Sequence, residues 1–184
     1  MTPPRSHAAD HALALDVGTQ SVRALQVDPA GTIVAMARVP IEPFRSPQPG
    51  WAEQDPAVWW DALGEACRRL WADPASDPSA VAGAGLTTQR TTVVVADERG
   101  APVRPAIVWP DQRRAEGLPP LGGAWGLAFR AGRVTDTVAR FQADAEANWI
   151  QRHEPATWRQ IRRYGLLSAW LTEDRKSTRL NSSH

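Results

Sequence analysis

The stretch Leu13-Ala14-Leu15-Asp16-Val17-Gly18-Thr19-Gln20-Ser21-Val22-Arg23 restricts the fold of this chain more than any other. An apolar run ends in a carboxylate, a glycine interrupts it, and the alternation resumes through Val22, Leu25 and Val27. A period of two broken by glycine predicts strand, tight turn, strand. Gly18 is expected to take the positive φ of a tight turn, and its missing side chain lets a ligand approach the backbone. Successive N–H groups at Gly18, Thr19 and Gln20 then form a concavity for an anion. Thr19 and Ser21 add hydroxyls, and Asp16 offers an oxygen where a magnesium ion or its water shell needs one. Residues 16–19 on their own are equally compatible with an ordinary β-turn, so the rest of the chain has to discriminate.

Residues 13–17, 22–27 and 32–39 read as three strands in an antiparallel meander, the last two joined by the turn Asp28-Pro29-Ala30-Gly31. Four prolines make 40–50 an extended connector. Asp55 is placed as a helix N-cap with Pro56 in the first turn. Trp59, Leu63, Cys67 and Leu70 follow at helical spacing, and Pro74 and Pro78 end the helix. Cys67 reads as a core thiol, since no histidine lies near it. Small residues make 81–86 a strand suited to close packing under a helix, and 91–96 and 106–109 read as further strands. The polar groups of 87–90 and 110–115 collect at strand ends, where α/β proteins place ligands. Residues 117–132 read as loop, followed by one helix through Phe141 to Ile150 and a second from Trp158 to Leu171. Arg159, Arg162 and Arg163 are expected on a solvated face.

Composition narrows the class. A chain of 184 residues with 42% hydrophobic content has the size of one domain, and a net charge of +1 gives no reason to expect nucleic acid as a partner. No run of about 18 apolar residues exists to span a membrane. A single cysteine excludes an internal disulfide and a cysteine zinc cluster. The phosphate-loop pattern Gly-x-x-x-x-Gly-Lys-Ser/Thr, the dinucleotide pattern Gly-x-Gly-x-x-Gly and the nucleophile elbow Gly-x-Ser-x-Gly are all missing. Residues 1–11 read as a disordered lead without a signal peptide's apolar stretch, His7 and His11 included, and a cytoplasmic protein is expected. Lys176 is the only lysine beside 20 arginines, and residues 174–184 lack the alanine abundant elsewhere. That segment resembles adapter-derived tail, which leaves 12–173 as the folded unit.

Three motifs in order resemble the N-terminal part of the FGGY carbohydrate kinases. They are the hairpin of residues 15–23, the segment Gly50-Trp51-Ala52-Glu53-Gln54-Asp55-Pro56, and Thr88-Gln89-Arg90 followed by Pro105-Ala106-Ile107-Val108-Trp109-Pro110-Asp111-Gln112-Arg113. The resemblance runs from Leu13 to Thr172 and implies an α/β, ribonuclease H-like N-terminal lobe, incomplete here, with a mixed sheet and flanking helices. It implies ATP and magnesium as cofactors and a sugar or polyol as acceptor. Asp16 would assist magnesium at the phosphates, while Gly18, Thr19, Gln20, Ser21 and Arg23 line the transfer path.

The Asp16 contact with the metal is expected to run through water. On the substrate side the resemblance places Gln89, Arg90, Thr91, Trp109, Asp111 and Phe141. An arginine fork suits paired hydroxyls, and an indole suits a carbon chain. A homodimer of the full-length protein is left open.

Departures from the family pattern limit what carries over. Glycerol kinases have Asn-Gln-Arg-Glu where this chain has Thr88-Gln89-Arg90-Thr91, so a carboxylate acceptor is replaced by a hydroxyl. Xylulose kinases have Gly-Gln-Met-His-Gly there. Phe141 falls where glycerol kinases carry a hydroxyl-bearing aromatic. The family's catalytic aspartate and second lobe belong to later sequence, so a truncated and inactive N-terminal portion is the expectation. The rival reading is a non-catalytic nucleotide- or sugar-binding protein of the actin-like superfamily.

Overall fold

A computed structural model describes residues 9–173, so residues 1–8 of the expected lead and the whole expected tail, 174–184, lie outside the described residues. The first half of the chain forms β1 (His11–Val17), β2 (Ser21–Val27), β3 (Ile33–Pro40), β4 (Glu53–Gln54) and α1 (Pro56–Ala72). A short 3-10 turn, Pro78–Ala80, leads into β5 (Val81–Thr88), β6 (Val93–Ala96) and β7 (Ala106–Ile107). The second half adds α2 (Gly123–Ala131), α3 (Thr135–Asp144), α4 (Glu146–His153), α5 (Pro155–Trp158), β8 (Arg163–Leu166) and α6 (Leu167–Thr172).

Two four-stranded sheets result. The first has the order β3-β2-β1-β5, antiparallel except for the parallel pair β1/β5, and the second is β4-β7-β6-β8. The expected meander is therefore present, extended by a parallel strand into a mixed sheet. β1 begins at His11, so the last residue of the expected lead belongs to the sheet.

Helix α1 forms as its caps dictate. The Asp55 carboxylate accepts from the Ala57 N–H at 2.9 Å, and Pro56 occupies the first turn. Its buried stripe, Trp59, Ala62, Ala66 and Leu70, lies on one face of the first sheet with Val17, Val22, Ala24, Ala35 and Ala37. Cys67 is half-buried at the margin of this core, and burial pushes its thiol pKa up. Gln26 is the polar exception inside this layer. It is fully buried, and its amide pairs with the backbone of Asp77 on both sides: Nε2 donates to the carbonyl at 2.8 Å and Oε1 accepts from the N–H at 2.9 Å.

Three local expectations are overturned. β5 was expected beneath a helix, yet Gly83 and Gly85 have no atom within 4 Å of where a Cβ would stand. Residues 123–131, expected as loop, form α2. This helix depends on Gly126, where a Cβ would come to 2.0 Å from the Leu121 carbonyl oxygen. The expected helix through Trp158 to Leu171 is instead α5, β8 and α6, because Tyr164, Gly165 and Leu166 pair with Val95, Val94 and Val93 of β6. A partner about 70 residues away leaves no trace in local periodicity.

Candidate active site

The parallel pairing of β1 with β5 brings two separate motifs to one sheet edge. Asp16 lies opposite Thr87 and Val17 opposite Thr88, so the turn after β1 and the loop after β5 emerge side by side. The Gln89 N–H donates to the Val17 carbonyl at 2.9 Å and ties the two together. The carboxyl ends of neighbouring parallel strands are where open α/β sheets bind ligands.

The turn after β1 is closed by the Gly18 N–H donating to the Ser21 carbonyl at 3.0 Å. Gly18 does not adopt a positive φ, so that expectation fails. Space is what favours glycine here: a Cβ would stand 3.2 Å from the Ser21 oxygen, so the hairpin would have to give by a few tenths of an ångström. Because the Gly18 N–H is spent inside the hairpin, the N–H groups of Thr19 and Gln20 remain as donors without an intramolecular partner among the described residues. Gln20 is exposed and Thr19 half-buried, whereas Ser21 is buried at the start of β2. Arg23 faces Asp16 across the hairpin, and its Nη1 lies 2.7 Å from Oδ2.

On the substrate side, both amide atoms of Gln89 are inaccessible and have no hydrogen-bond partner among the described residues. A buried amide left unpaired is costly, and a ligand or water is the usual remedy. Arg90 is exposed. Thr91 has φ +51°, an uncommon conformation for a β-branched residue and one that concentrates at functional sites. Thr91 and Trp109 line a cavity of about 50 Å³ with Asp111, Arg113, Asp144 and Glu146. A larger cavity of about 520 Å³ shares Asp111, Arg113 and Asp144 with it. Phe141 is not part of either lining; it stands 71% exposed on α3.

Asp111 is held by its neighbours. Its two oxygens accept from the Arg113 guanidinium at 2.8 and 2.6 Å, and Oδ2 also accepts from the Ala52 N–H at 2.6 Å. Arg113 also donates to Glu53 at 2.8 Å and lies over the rings of Trp51 and Trp149, 4.0 and 4.6 Å from their centroids. This fork, sandwiched by indoles and fully charge-paired, fixes the strand-end segment 109–113 against the entry to α1. Asp144 and Glu146 escaped the sequence reading, which had both on one continuous helix.

A model of the FGGY family of carbohydrate kinases, N-terminal domain, matches residues 11–175. The chain belongs to this family. Among curated relatives of this FGGY chain, the xylulose kinase of Streptomyces coelicolor is 38% identical over 165 residues, covering 86% of the chain and 32% of the relative. The glycerol kinase of Beutenbergia cavernae is 38% identical over 147 residues, covering 77% of the chain and 28% of the relative. The chain thus spans about a third of the length of such relatives. Among solved structures, the xyloylose kinase of Brucella ovis superposes with a TM-score of 0.69 at 30% identity, over 88% of the chain and 33% of that protein. The α/β fold with a mixed sheet and flanking helices is therefore that of the FGGY sugar kinases. No helix among the described residues is long and apolar enough to cross a membrane.

Proposed function

We propose that this FGGY chain forms the acceptor-binding part of an ATP-dependent kinase that phosphorylates a hydroxyl of a sugar or polyol in the cytoplasm. The observation that carries the reading is the junction of Gln89 with Val17, which sets an unpaired buried amide beside the hairpin turn. Gln89, Arg90, Thr91 and Trp109 then meet the acceptor, with Asp111 acting through Arg113. Phe141 joins them only from its exposed position on α3. The turn residues Gly18, Thr19, Gln20 and Ser21 face the transferred phosphoryl group, with the free N–H groups at Thr19 and Gln20 as its donors. Phosphoryl transfer relies on positioning and electrostatic stabilisation, which fixed backbone donors and paired charges can supply.

Asp16 fits magnesium held mainly by phosphate and water. Only one of its oxygens is engaged, by Arg23, and no group of three or more His, Cys, Asp or Glu among the described residues could cage a metal. Magnesium commonly takes one or two carboxylates and keeps its remaining waters. When bound, the ion would neutralise charge on the transferring phosphates. Arg23 holds the Asp16 carboxylate in place.

The test is ADP release by the protein in its full reading frame, with and without a panel of neutral sugars and polyols. Turnover that rises with one of them supports the kinase reading. ATP turnover indifferent to every sugar overturns it in favour of a nucleotide-gated binding protein.

A further inference from the structure

We infer that Glu53 is a positioning residue for the acceptor: its carboxylate joins the two guanidiniums that flank the segment carrying Trp109 and Asp111. The inference rests on the sugar-kinase reading above. β4 and β7 pair over only two residues, Glu53 with Ile107 and Gln54 with Ala106. So short a ladder has few hydrogen bonds with which to fix the residues that follow β7. The Glu53 side chain adds what the ladder lacks. Its Oε1 accepts from Arg104, before β7, at 2.5 Å and from Arg113, beyond it, at 2.8 Å. One oxygen thereby holds both ends of the segment 104–113.

The row continues at each end. Arg104 Nε donates to Glu154 Oε2 at 2.9 Å, in the joint between α4 and α5. Arg113 grips both oxygens of Asp111. Charge alternates along Glu154, Arg104, Glu53, Arg113 and Asp111, and the side chains of Arg104, Arg113 and Asp111 are almost wholly buried. Buried pairs escape most of the screening that weakens surface ones. Glu53 and Arg104 line a different cavity, with Pro43 and Pro105, from the one that Thr91 and Trp109 line. Glu53 therefore acts on the acceptor through Arg113 and not by contact. Its role is separable from stability. With glutamine at 53, Arg104 keeps Glu154 and Arg113 keeps Asp111, so neither buried cation loses its last carboxylate. What is lost is the tie between them, and with it the fixed placement of Trp109 and Asp111. Contacts made equally by the bound acceptor and the transition state appear in KM and not in kcat.

The experiment is steady-state kinetics of the protein in its full reading frame, with D-xylulose and glycerol as acceptors, for the unmodified protein, Glu53→Gln, Trp109→Leu and the double variant. Glu53→Gln is expected to raise KM for the acceptor about tenfold and to leave kcat and KM for ATP nearly unchanged. In the Trp109→Leu background the same substitution should raise KM far less, because the segment it positions has already lost its indole. Circular dichroism confirms that each variant is folded. If Glu53→Gln melts below the assay temperature, Glu154→Gln decides in its place: it breaks only the outer link and should raise KM for the acceptor in the same direction, more weakly. An unchanged KM for the acceptor overturns the positioning role and leaves the sugar-kinase reading standing. A fall in kcat with both KM values unchanged overturns it too, since that is the mark of a smaller folded fraction. No turnover of either acceptor by the unmodified protein overturns the kinase reading for these acceptors and this inference with it.

Discussion

Asp16 and Arg23 sit directly opposite each other on β1 and β2, and the guanidinium Nη1 lies 2.7 Å from the carboxylate Oδ2. Both side chains are about 40% exposed, 38% for Asp16 and 41% for Arg23, so the pair is screened and its contribution to stability is about 0–1 kcal/mol. Its role is orientation. In the full-length protein, Asp16→Asn is expected to lower sugar-dependent ATP turnover about 100-fold or more, the scale for losing one preorganised electrostatic group. Thermal melting should barely change. Turnover retained by Asp16→Asn would remove Asp16 from the phosphate site.

Gln26 should behave in the opposite way, as a stability residue remote from the cleft. Replacing it by leucine leaves the Asp77 N–H and carbonyl without their buried partners, and also deprives Ser76 of its acceptor. The expected cost is about 1–3 kcal/mol. For a chain of this size that lowers Tm by roughly 2–4 °C per kcal/mol, read by circular dichroism. An unchanged Tm would show that the buried amide is dispensable.

Arg113→Met is expected to destabilise by about 3–5 kcal/mol, because it leaves Asp111 as an uncompensated buried carboxylate and Glu53 with Arg104 as its remaining cation. Arg113→Lys should recover only part of that loss, since an ammonium cannot make the fork to Asp111 while lying flat on Trp51. Urea unfolding followed by tryptophan fluorescence reports on both flanking indoles. Equal stability of the lysine variant and the unmodified chain would show that charge alone matters there.

Tyr164 is the only tyrosine, so alkaline absorbance reads it without interference. Burial first, and then the negative charge of Glu146, push its pKa up to about 12 from the usual 10. The folded state therefore holds the phenolic proton more tightly than the unfolded state. Stability from this site is complete below pH 10 and is lost as pH climbs from 10 towards 12. Glu146→Gln should bring the titration part of the way back towards 10, with the burial effect remaining. A midpoint at 10 in the unmodified chain would place Tyr164 in free solvent.

Local signals in the chain were enough for the meander, the capped helix α1 and the order of the hairpin and Gln89 motifs. Each rests on short-range physics: alternation for strands, Asp55 and Pro56 for a helix start, Asp28-Pro29-Ala30-Gly31 for a turn. Those signals also located the hairpin's polar residues, although they assigned Gly18 a positive φ where the real constraint is room beside the Ser21 oxygen. What they missed depends on contacts between distant residues. β8 is a strand because β6 supplies its hydrogen bonds, and α2 exists because Gly126 lets the Leu121 carbonyl close in. The juxtaposition of Gln89 with Val17 comes from a parallel pairing whose register no local pattern encodes. Likewise Asp144 and Glu146 share a wall only because the chain bends at Ala145, and Asp111 is tied to Ala52 and Arg113 only because the sheet and the entry to α1 meet. Periodicity describes which face a residue takes within its own element; packing between elements sets what that face meets.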